Sequence, residues 1–355
     1  MESHATVRPG PTRWQDAAVN TPTARPTLVD LARAAGVSRA TAARVMAGRS
    51  TVRPDLAQKV LRAAESLSYR TNPVARALRR GKAGAVALVA PGGDMEGLAG
   101  PYIGAPIQSA SATLLEHGLQ PVLLLEDGHN TGTLVRHLSS GHVDAAIVIL
   151  QREALLMFRH LVEVPVPVVF VGHTSGELDA GSVYVDCDNY GGARLATRAL
   201  LVAGRRRIAT IAGPAYYLPS TQRLQGFLDE LEEWGVKPGP VATGDFSFAS
   251  GSAAMAQLLR RAPDVDGLFA ASDLMAVGAL RVLDAAGRRA PDDISIVGFD
   301  DTVVAATANP PLTTVHQPFW EMGARAAELV LEMLDGATVN EPVQLPTTLT
   351  VRESV

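Results

Sequence analysis

The sequence predicts an N-terminal all-α helix-turn-helix domain followed by a two-lobed α/β domain with doubly wound sheets. Three observations support this fold class. A length of 355 residues exceeds one ordinary domain. Residues 27–70 have helical periodicity interrupted by glycine, whereas short apolar runs alternate with amphipathic stretches beyond Gly84. This later part predicts about ten strands, too many for one comfortable sheet, so two lobes with a cleft between them are expected.

The predicted head domain, residues 27–70, contains three short helices. The first has Thr27 as its N-cap candidate and ends before Gly36. The second follows a tight turn and covers about residues 39–47, and the third begins near Pro54, whose fixed φ suits a first helical position. Because each apolar stripe is short, the three helices must pack together to be stable.

Two flanking segments are predicted to have no stable fold of their own. Residues 1–26 are rich in Thr, Pro and Ala without periodicity, which indicates a disordered extension. Residues 71–83 form a linker in which Asn72 and Pro73 are suited to start one or two helical turns. Isolated helices this short are marginal in water, so we expect this one to form only when something packs on it.

The α/β body is predicted over residues 84–355. Strictly alternating strands and helices imply parallel, doubly wound sheets. The predicted strands are 85–90, 121–125, 145–150, 166–171, 208–212, 267–271 and 294–299. The predicted helices include 103–116, 190–203, 221–234, 250–261 and 274–286. The first lobe is expected at about 84–187 and 317–342, and the second at about 188–316 and 343–355.

Charge is distributed unevenly along the chain, although its net value is −4. Residues 25–82 hold 13 Lys and Arg against 3 Asp and Glu, a net charge of +10, whereas residues 83–355 carry a net charge of −14. Lys and Arg gain binding free energy by displacing counterions from phosphates, so the basic head favours a polyanionic partner. A merely solvated basic surface is the alternative.

Several function classes find no support in the sequence. Cys187 is the single cysteine, and no Cys/His spacing typical of a metal site is present. Neither a signal-peptide h-region nor an apolar run of about 18 residues occurs, which favours a cytoplasmic, nucleoid-associated protein without membrane contact. Common catalytic and nucleotide-binding motifs are missing, and His173 and His316 are better explained as cleft or surface residues than as a catalytic pair. We therefore expect no enzyme, no cofactor and no metal.

The chemistry of the head lies in T-L-x-D-L-A-x-A-A-G-V-S-R-A-T-A-A-R-V-M-A-G, residues 27–48. In a helix-turn-helix the second helix enters the major groove, where its early residues reach base edges. Arginine can donate paired hydrogen bonds to guanine, and alanine can touch a thymine methyl group. We expect base contacts from Arg39, Ala40 and Arg44, and phosphate contacts from Ser38 and Thr41. A purely structural helical hairpin is the alternative.

Three motifs together resemble the lactose repressor/galactose repressor family in order and spacing. They are the motif of residues 27–48, V-x-x-A-x-x-x-L-x-Y at 60–69 and N-P-x-A-R-x-L at 72–78. The resemblance covers residues 27–350. In the body it is carried by G-G-A-R-L-A (191–196), R-L-Q-G-F (223–227), S-D-L-M-A-V-G (272–278), D-I-S-I-V-G-F-D-D (293–301) and P-L-T-T-V (311–315). It implies a periplasmic-binding-protein-like sensor behind the head domain.

For the linker, the resemblance implies a hinge helix that forms on operator DNA in a dimer. The matching leucine, Leu78, would wedge into the minor groove, supported by Asn72, Ala75 and Arg76. Such wedging unstacks bases and kinks the duplex, at a cost offset by added contacts. The alternative is that Leu78 is a linker residue packed on the body.

For the body, the resemblance implies an effector site in the cleft. Arg223 and Asp300 match the arginine and the strand-end aspartate that hold polar ligand groups, with a structural ion pair as the alternative. Phe246 matches a stacking aromatic residue, and Tyr102 lies where the family often places one; ordinary packing is their alternative. Ser272 occupies a frequent ligand-contacting position.

Two positions depart from the family pattern. Gly172 stands where many sugar-responsive members have an acidic or other polar residue after a strand, so one hydroxyl contact is expected to be missing. Ala43 stands late in the recognition helix where serine is common, which removes a hydroxyl able to reach phosphate. Both changes bear on specificity rather than on the fold.

Together these features predict an effector-responsive transcriptional repressor that binds a pseudo-palindromic operator as a homodimer. The cleft is expected to bind a sugar or sugar derivative, with a purine or nucleoside as a further option, and thereby to change the affinity for DNA. No leucine heptads occur near Val355, which predicts a dimer rather than a tetramer. The alternatives are a periplasmic-type sugar-binding protein without a regulatory role, and a sugar-converting enzyme, for which no plausible nucleophile or base was found.

Overall fold

A computed structural model describes residues 26–48, 52–69, 82–92, 100–126, 131–150, 161, 164–173 and 182–355. The chain divides into two compact units, Met1–Gly81 and Lys82–Val355. The predicted extension, apart from its last residue, and the predicted linker, apart from its last two residues, lie outside the described residues.

The head unit contains the three helices predicted from the sequence. They are α1 (Leu28–Ala35), α2 (Arg39–Met46) and α3 (Pro54–Ser66). Thr27 caps α1 in a reciprocal arrangement with Asp30, and Gly36 ends that helix with a φ of +64°, a conformation that favours glycine. Small side chains allow the helices to approach closely, and the buried core consists of Leu31, Ala32, Ala35, Ala42, Val60, Ala63 and Ala64.

The first lobe of the larger unit is built on a six-stranded parallel sheet. Its strands are β1 (Ala85–Pro91), β2 (Gln120–Glu126), β3 (Ala145–Ile149), β4 (Val168–Val171), β5 (Val183–Cys187) and β11 (Val343–Leu345). They lie in the order β11-β5-β4-β3-β1-β2. Apolar faces of α4 (Pro101–Glu116) and α11 (Phe319–Leu334) cover one side of the sheet, and α5 (Thr131–Ser139) covers the other.

The second lobe repeats this architecture. Its strands are β6 (Ile208–Ala212), β7 (Val241–Thr243), β8 (Gly267–Ala270), β9 (Ser295–Asp300), β10 (Thr313–His316) and β12 (Thr348–Thr350), in the order β12-β10-β9-β8-β6-β7. One face is covered by α6 (Asn189–Val202) and α7 (Leu218–Glu233). The other face is covered by α8 (Phe248–Arg261), α9 (Asp273–Ala285) and α10 (Val303–Thr307).

The chain passes between the two lobes after β5, after β10 and after β11. Two details of the sheets differ from the expectation. β11 pairs with β5, with Val343 opposite Val185, so the last crossing follows Leu345 and not residue 342. β12 is antiparallel to β10, so the second sheet is mixed at its edge, as is common in large α/β sheets.

A buried carboxylate joins the two helices on one face of the second lobe. The side chain of Glu230 in α7 is fully buried and accepts hydrogen bonds from Arg194 Nε at 2.8 Å and Arg198 Nε at 2.6 Å, both in α6. The indole Nε1 of Trp234 donates a further bond at 3.1 Å. Burial opposes ionisation, but the bonds from Arg198 and Arg194 outweigh it and lower the pKa of Glu230 below its usual value.

Replacing this carboxylate should therefore make the free energy of unfolding depend less steeply on pH in the acidic range. A folded-state pKa below the unfolded value stabilises the fold above the unfolded pKa, and this stabilisation is lost as the pH falls through the folded value. Glu230→Gln should lower the free energy of unfolding by about 2 kcal/mol at pH 7, and the difference from the parent should narrow between about pH 5 and 3. Urea denaturation of both proteins at pH 7 and at about pH 5 and 3 measures this difference in the free energy of unfolding. Glu233→Gln, at a half-exposed neighbour, is the control, and a difference that stays constant with pH would contradict this account.

Candidate functional site

The start of α2 is fixed by two hydroxyl groups that the sequence assigned to phosphate contacts. Ser38 is the N-cap residue, and its Oγ accepts a hydrogen bond from Thr41 N at 3.1 Å. The Oγ of Ser38 also lies 2.9 Å from the Oγ1 of Thr41. Both hydroxyls thus hold the helix start in place, at the end of α2 expected to meet the DNA backbone.

The outward face of α2 carries the residues predicted to read bases. Arg39, Ala40 and Arg44 are exposed, whereas Ala42 faces the core. Among the described residues, neither arginine forms a hydrogen bond or an ion pair, so both guanidinium groups are available for an external acceptor. The four predicted hinge residues, Asn72, Ala75, Arg76 and Leu78, lie outside the described residues.

A cavity of about 560 Å³ lies between the two lobes of the larger unit. Its lining includes Tyr102, Arg223, Phe246 and Asp300, four of the five residues predicted to bind an effector. The fifth, Ser272, is not among the described lining residues. It is buried at the start of α9, where its Oγ accepts a hydrogen bond from Met275 N, so its position is that of a helix cap.

The Arg223 side chain is held by several partners at the floor of the cavity. Its Nε donates to Asn189 Oδ1 at 2.9 Å and its Nη1 donates to the carbonyl of Ala271 at 2.6 Å. Nη1 also lies 3.6 Å from Asp300 Oδ1, and the guanidinium stacks over the Phe299 ring at 3.7 Å. The ion pair predicted as an alternative to a ligand site is therefore present, and it lies in the cavity wall.

Asp300 connects the second lobe to the first lobe and to a crossing segment. Its carboxylate accepts hydrogen bonds from Tyr102 Oη at 2.5 Å, Gln317 Nε2 at 2.6 Å and Asp273 N at 3.3 Å. Burial raises the pKa of Asp300 although Arg223 opposes this, and burial together with the charge of Asp300 raises the pKa of Tyr102. The φ of Asp300 is +124°, and such strained backbone conformations are concentrated at functional sites.

A second buried carboxylate supports the loop after β9. Asp273 accepts hydrogen bonds from Thr302 N at 2.8 Å, Thr302 Oγ1 at 3.0 Å and Thr314 Oγ1 at 2.5 Å. Burial and the nearby charge of Asp300 raise the pKa of Asp273 to about 7, against the effect of these bonds. Asp273 thus fixes the loop that carries Asp300.

Aromatic side chains reach the cavity from both lobes. Tyr102 and Phe319 of the first lobe meet edge to face with ring centroids 5.2 Å apart. Tyr217 and Phe246 of the second lobe meet in the same manner at 5.9 Å. Phe246 has a φ of +71°, a second strained residue in the cavity wall. Each lobe therefore offers an apolar ring surface beside the polar floor.

Comparison with known proteins assigns the chain to a family. Residues 27–72 match the model of bacterial regulatory proteins of the lacI family, and residues 197–355 match a periplasmic binding protein-like domain. The chain is 42% identical over 335 residues to the HTH-type transcriptional regulator CelR of Thermobifida fusca, covering 93% of this chain and 98% of the relative. The chain belongs to the LacI family.

Solved structures of LacI-family proteins have the same fold. A CelR–cellobiose complex is 40% identical, with a TM-score of 0.71, and the alignment covers 93% of this chain and all of the other. The lac repressor dimer bound to operator and the anti-inducer ONPF is 26% identical, with a TM-score of 0.80, covering 93% and 98% of the two chains. The resemblance stated from the sequence is confirmed. The chain is a DNA-binding transcriptional regulator, and the alternative of a sugar-binding protein without a regulatory role is not supported.

Several residues of this LacI-family cleft escaped the sequence analysis. Asn189 and Gln317 lie beside two crossings and bond Arg223 and Asp300, and Asp186 lines the first-lobe wall. Asp186 lies near the end of β5, Asn189 follows β5, and Gln317 follows β10. These two short strands were not predicted. Because ligands sit beyond the carboxyl ends of strands, recognising these strands would have pointed to all three residues.

Among the described helices, none is both long and apolar enough to cross a membrane.

Proposed function

We propose that this protein is a homodimeric, nucleoid-associated repressor that acts without catalysis and is controlled by a neutral sugar bound between its lobes. The observation that carries the effector class is the charge balance of the cavity. Its described lining contains two carboxylates, Asp186 and Asp300, and a single guanidinium group, that of Arg223. Because Arg223 already holds protein partners, the wall offers an anionic ligand little compensation for the charge it would bury.

A neutral polyhydroxylated ligand suits the same surfaces. Hydroxyl groups can donate to the cavity carboxylates, and the aromatic pairs of both lobes can cover the apolar faces of sugar rings. A volume of about 560 Å³ lies within the range of small-molecule sites. A solved structure of the relative CelR contains cellobiose, which makes this disaccharide the first probe for the present chain.

Thermal-shift and calorimetric titrations of the full chain can test the effector class. Cellobiose and other neutral sugars should raise the unfolding temperature, because a ligand that binds only the folded state stabilises it by mass action. Glucose 6-phosphate and purines should have no such effect. Stabilisation by a phosphorylated sugar or a purine, but by none of the neutral sugars, would overturn the proposal.

For the DNA-binding half, we propose that Arg39, Ala40 and Arg44 contact bases, while Ser38 and Thr41 contact phosphates. Three observations support these roles: the first three residues are exposed, neither guanidinium group is bonded within the part of the chain that the structure describes, and both hydroxyls lie at the start of α2. For the linker we propose the minor-groove role implied by the family resemblance, with Leu78 as the wedge, supported by Asn72, Ala75 and Arg76.

Replacing Arg44 should relax operator preference rather than abolish DNA binding. Arg44→Ala is expected to weaken binding to the preferred operator by about 10- to 100-fold, since a paired arginine–guanine contact contributes about 1–3 kcal/mol of discrimination. Selection from a randomised duplex library should show lost preference at one position of each half-site. Arg289→Ala removes the same charge from an exposed site in the second lobe and should leave the selected sequence unchanged. Identical selected sequences for the parent and Arg44→Ala would contradict the assignment.

A further inference from the structure

We propose that Asp186 is the first-lobe acceptor for effector hydroxyl groups and that it makes the cleft selective for neutral ligands. This inference rests on the proposed function, because it assigns a residue to the same effector site. Asp186 lies near the end of β5, is 6% exposed, and is one of the residues that line the cavity. Nothing in the sequence pattern had singled it out.

Spare hydrogen-bonding capacity distinguishes Asp186 from Asp300. An ionised carboxylate offers about four lone-pair positions. Asp300 already accepts three hydrogen bonds and lies beside Arg223, so a ligand must displace a protein donor to reach it. Asp186 accepts one backbone bond, from Cys187 N at 2.7 Å, and its Oδ2 lies 3.4 Å from His173 Nδ1. The first-lobe carboxylate therefore keeps acceptor positions for an incoming hydroxyl group.

Among the described residues, Gly172 leaves the cavity wall beside Asp186 without a covering side chain. Gly172 directly follows the adjacent strand β4, and its N–H donates to the carbonyl of Val185 at 2.8 Å, which places it next to Asp186. Its φ is +85°, and among the described residues a Cβ added there would meet only atoms of Leu150, at 3.6 Å. No side chain at position 172 thus covers this part of the wall. The hydroxyl contact that the sequence predicted to be missing at Gly172 is available one strand away.

The orientation of the Asp186 carboxylate is fixed by two neighbouring groups, His173 and the N–H of Cys187. His173 approaches Oδ2 and stacks on Tyr184, with ring centroids 4.3 Å apart and planes inclined by 13°. The Cys187 N–H holds the other oxygen. A positioned acceptor loses little conformational entropy when a ligand binds, which favours affinity as well as selectivity.

The location of Asp186 also has a consequence for ligand class. It places a negative charge in the first-lobe wall, while Arg223 and Asp300 lie in the second lobe. A sugar that bonds both walls joins the lobes, and an anionic analogue of the same size meets an uncompensated carboxylate. Selectivity for neutral ligands should therefore depend on the charge of Asp186 and not only on its shape.

Calorimetry on the full chain with cellobiose and its oxidised, singly charged analogue cellobionate tests this role. Asp186→Asn keeps the shape of the side chain and should weaken cellobiose binding by about 10- to 100-fold, as expected for loss of a hydrogen bond to a charged group. The same variant should narrow the preference for cellobiose over cellobionate. Asp292→Asn removes an equal charge at an exposed site of the second lobe and should change neither value.

The outcomes separate this inference from the proposed function. If the parent protein binds neither cellobiose nor any other neutral sugar, the proposed function fails. If the parent binds cellobiose and Asp186→Asn binds it with the same affinity and the same preference over cellobionate, only the role of Asp186 is wrong. Unchanged operator affinity of Asp186→Asn without sugar would show that the variant is folded. Should that affinity fall, a parallel Asp186→Glu variant, which retains the charge, must recover the preference for cellobiose or the inference is overturned.

Discussion

Arg223→Ala is expected to abolish the effector response and to lower the free energy of unfolding of the sensor by about 3–5 kcal/mol, the usual cost of removing one partner of a buried ion pair. Asp300 is 2% exposed and would lose the nearby guanidinium group that opposes the effect of burial on its pKa. Asn189 and the carbonyl of Ala271 would each lose a donor, and the ring of Phe299 would lose its stacked cation.

A second substitution separates the structural loss from the functional one. Asp300→Asn combined with Arg223→Ala removes the uncompensated charge and should recover part of the stability, whereas the effector response should stay absent. Urea denaturation gives the stability, and release of fluorescent operator DNA on addition of cellobiose gives the response. Arg289→Ala serves as the control for lost charge. A stable Arg223→Ala protein that still responds to the sugar would remove Arg223 from the effector site.

Gly251→Ala should lower the free energy of unfolding by about 3 kcal/mol because α8 and α9 would have to separate. An added Cβ would lie 2.3 Å from the carbonyl oxygen of Met275 and 2.4 Å from its Cα. These are backbone atoms of the neighbouring helix, so no flexible side chain can move aside. Gly278 approaches the carbonyl of Phe248 equally closely from the other helix. The expected loss is net of the roughly 1 kcal/mol by which alanine favours a helix over glycine.

Gly132→Ala provides the matched comparison. It lies in α5, and no atom of the described residues lies within 4 Å of an added Cβ. The same substitution there should be neutral or stabilising, because only helix propensity and unfolded-state entropy change. Thermal and urea unfolding of both variants test the argument. Equal stabilities for the two variants would show that the α8–α9 contact does not limit stability.

Strands that form apolar runs and helices with clear periodicity were predictable because their sequence signals are strong. Val86, Leu88 and Val89 belong to an uninterrupted apolar run, which is typical of a parallel strand covered on both faces. β5, β7, β10, β11 and β12 have three to five residues each and all include polar residues, so none of them forms a continuous apolar run. The last lobe boundary was misplaced for the same reason, since β11 joins the first sheet through pairing that is not local in sequence.

The residues of the candidate site were likewise predictable only in part. Arg223, Asp300, Tyr102 and Phe246 reach the cavity from positions that motif resemblance identified. Ser272 does not, because a serine at the start of a helix has a competing use as its cap, here for Met275 N. Asp186 was missed because its relevance depends on the missing side chain at Gly172. These two residues become neighbours only when β4 and β5 pair in the folded sheet, so neither stretch of sequence alone reveals the site.

The connection between β11 and β12 has a consequence for biosynthesis. Two residues separate these strands, yet they complete different sheets. The ribosome makes β5 about 150 residues before its partner β11, so at about 5–20 residues per second the first sheet waits roughly 8–30 s with an unpaired edge. A nonsense or frameshift mutation shortly before codon 343 would therefore leave both lobes unfinished, and a chaperone that shields the β5 edge during this interval would raise the yield of active regulator.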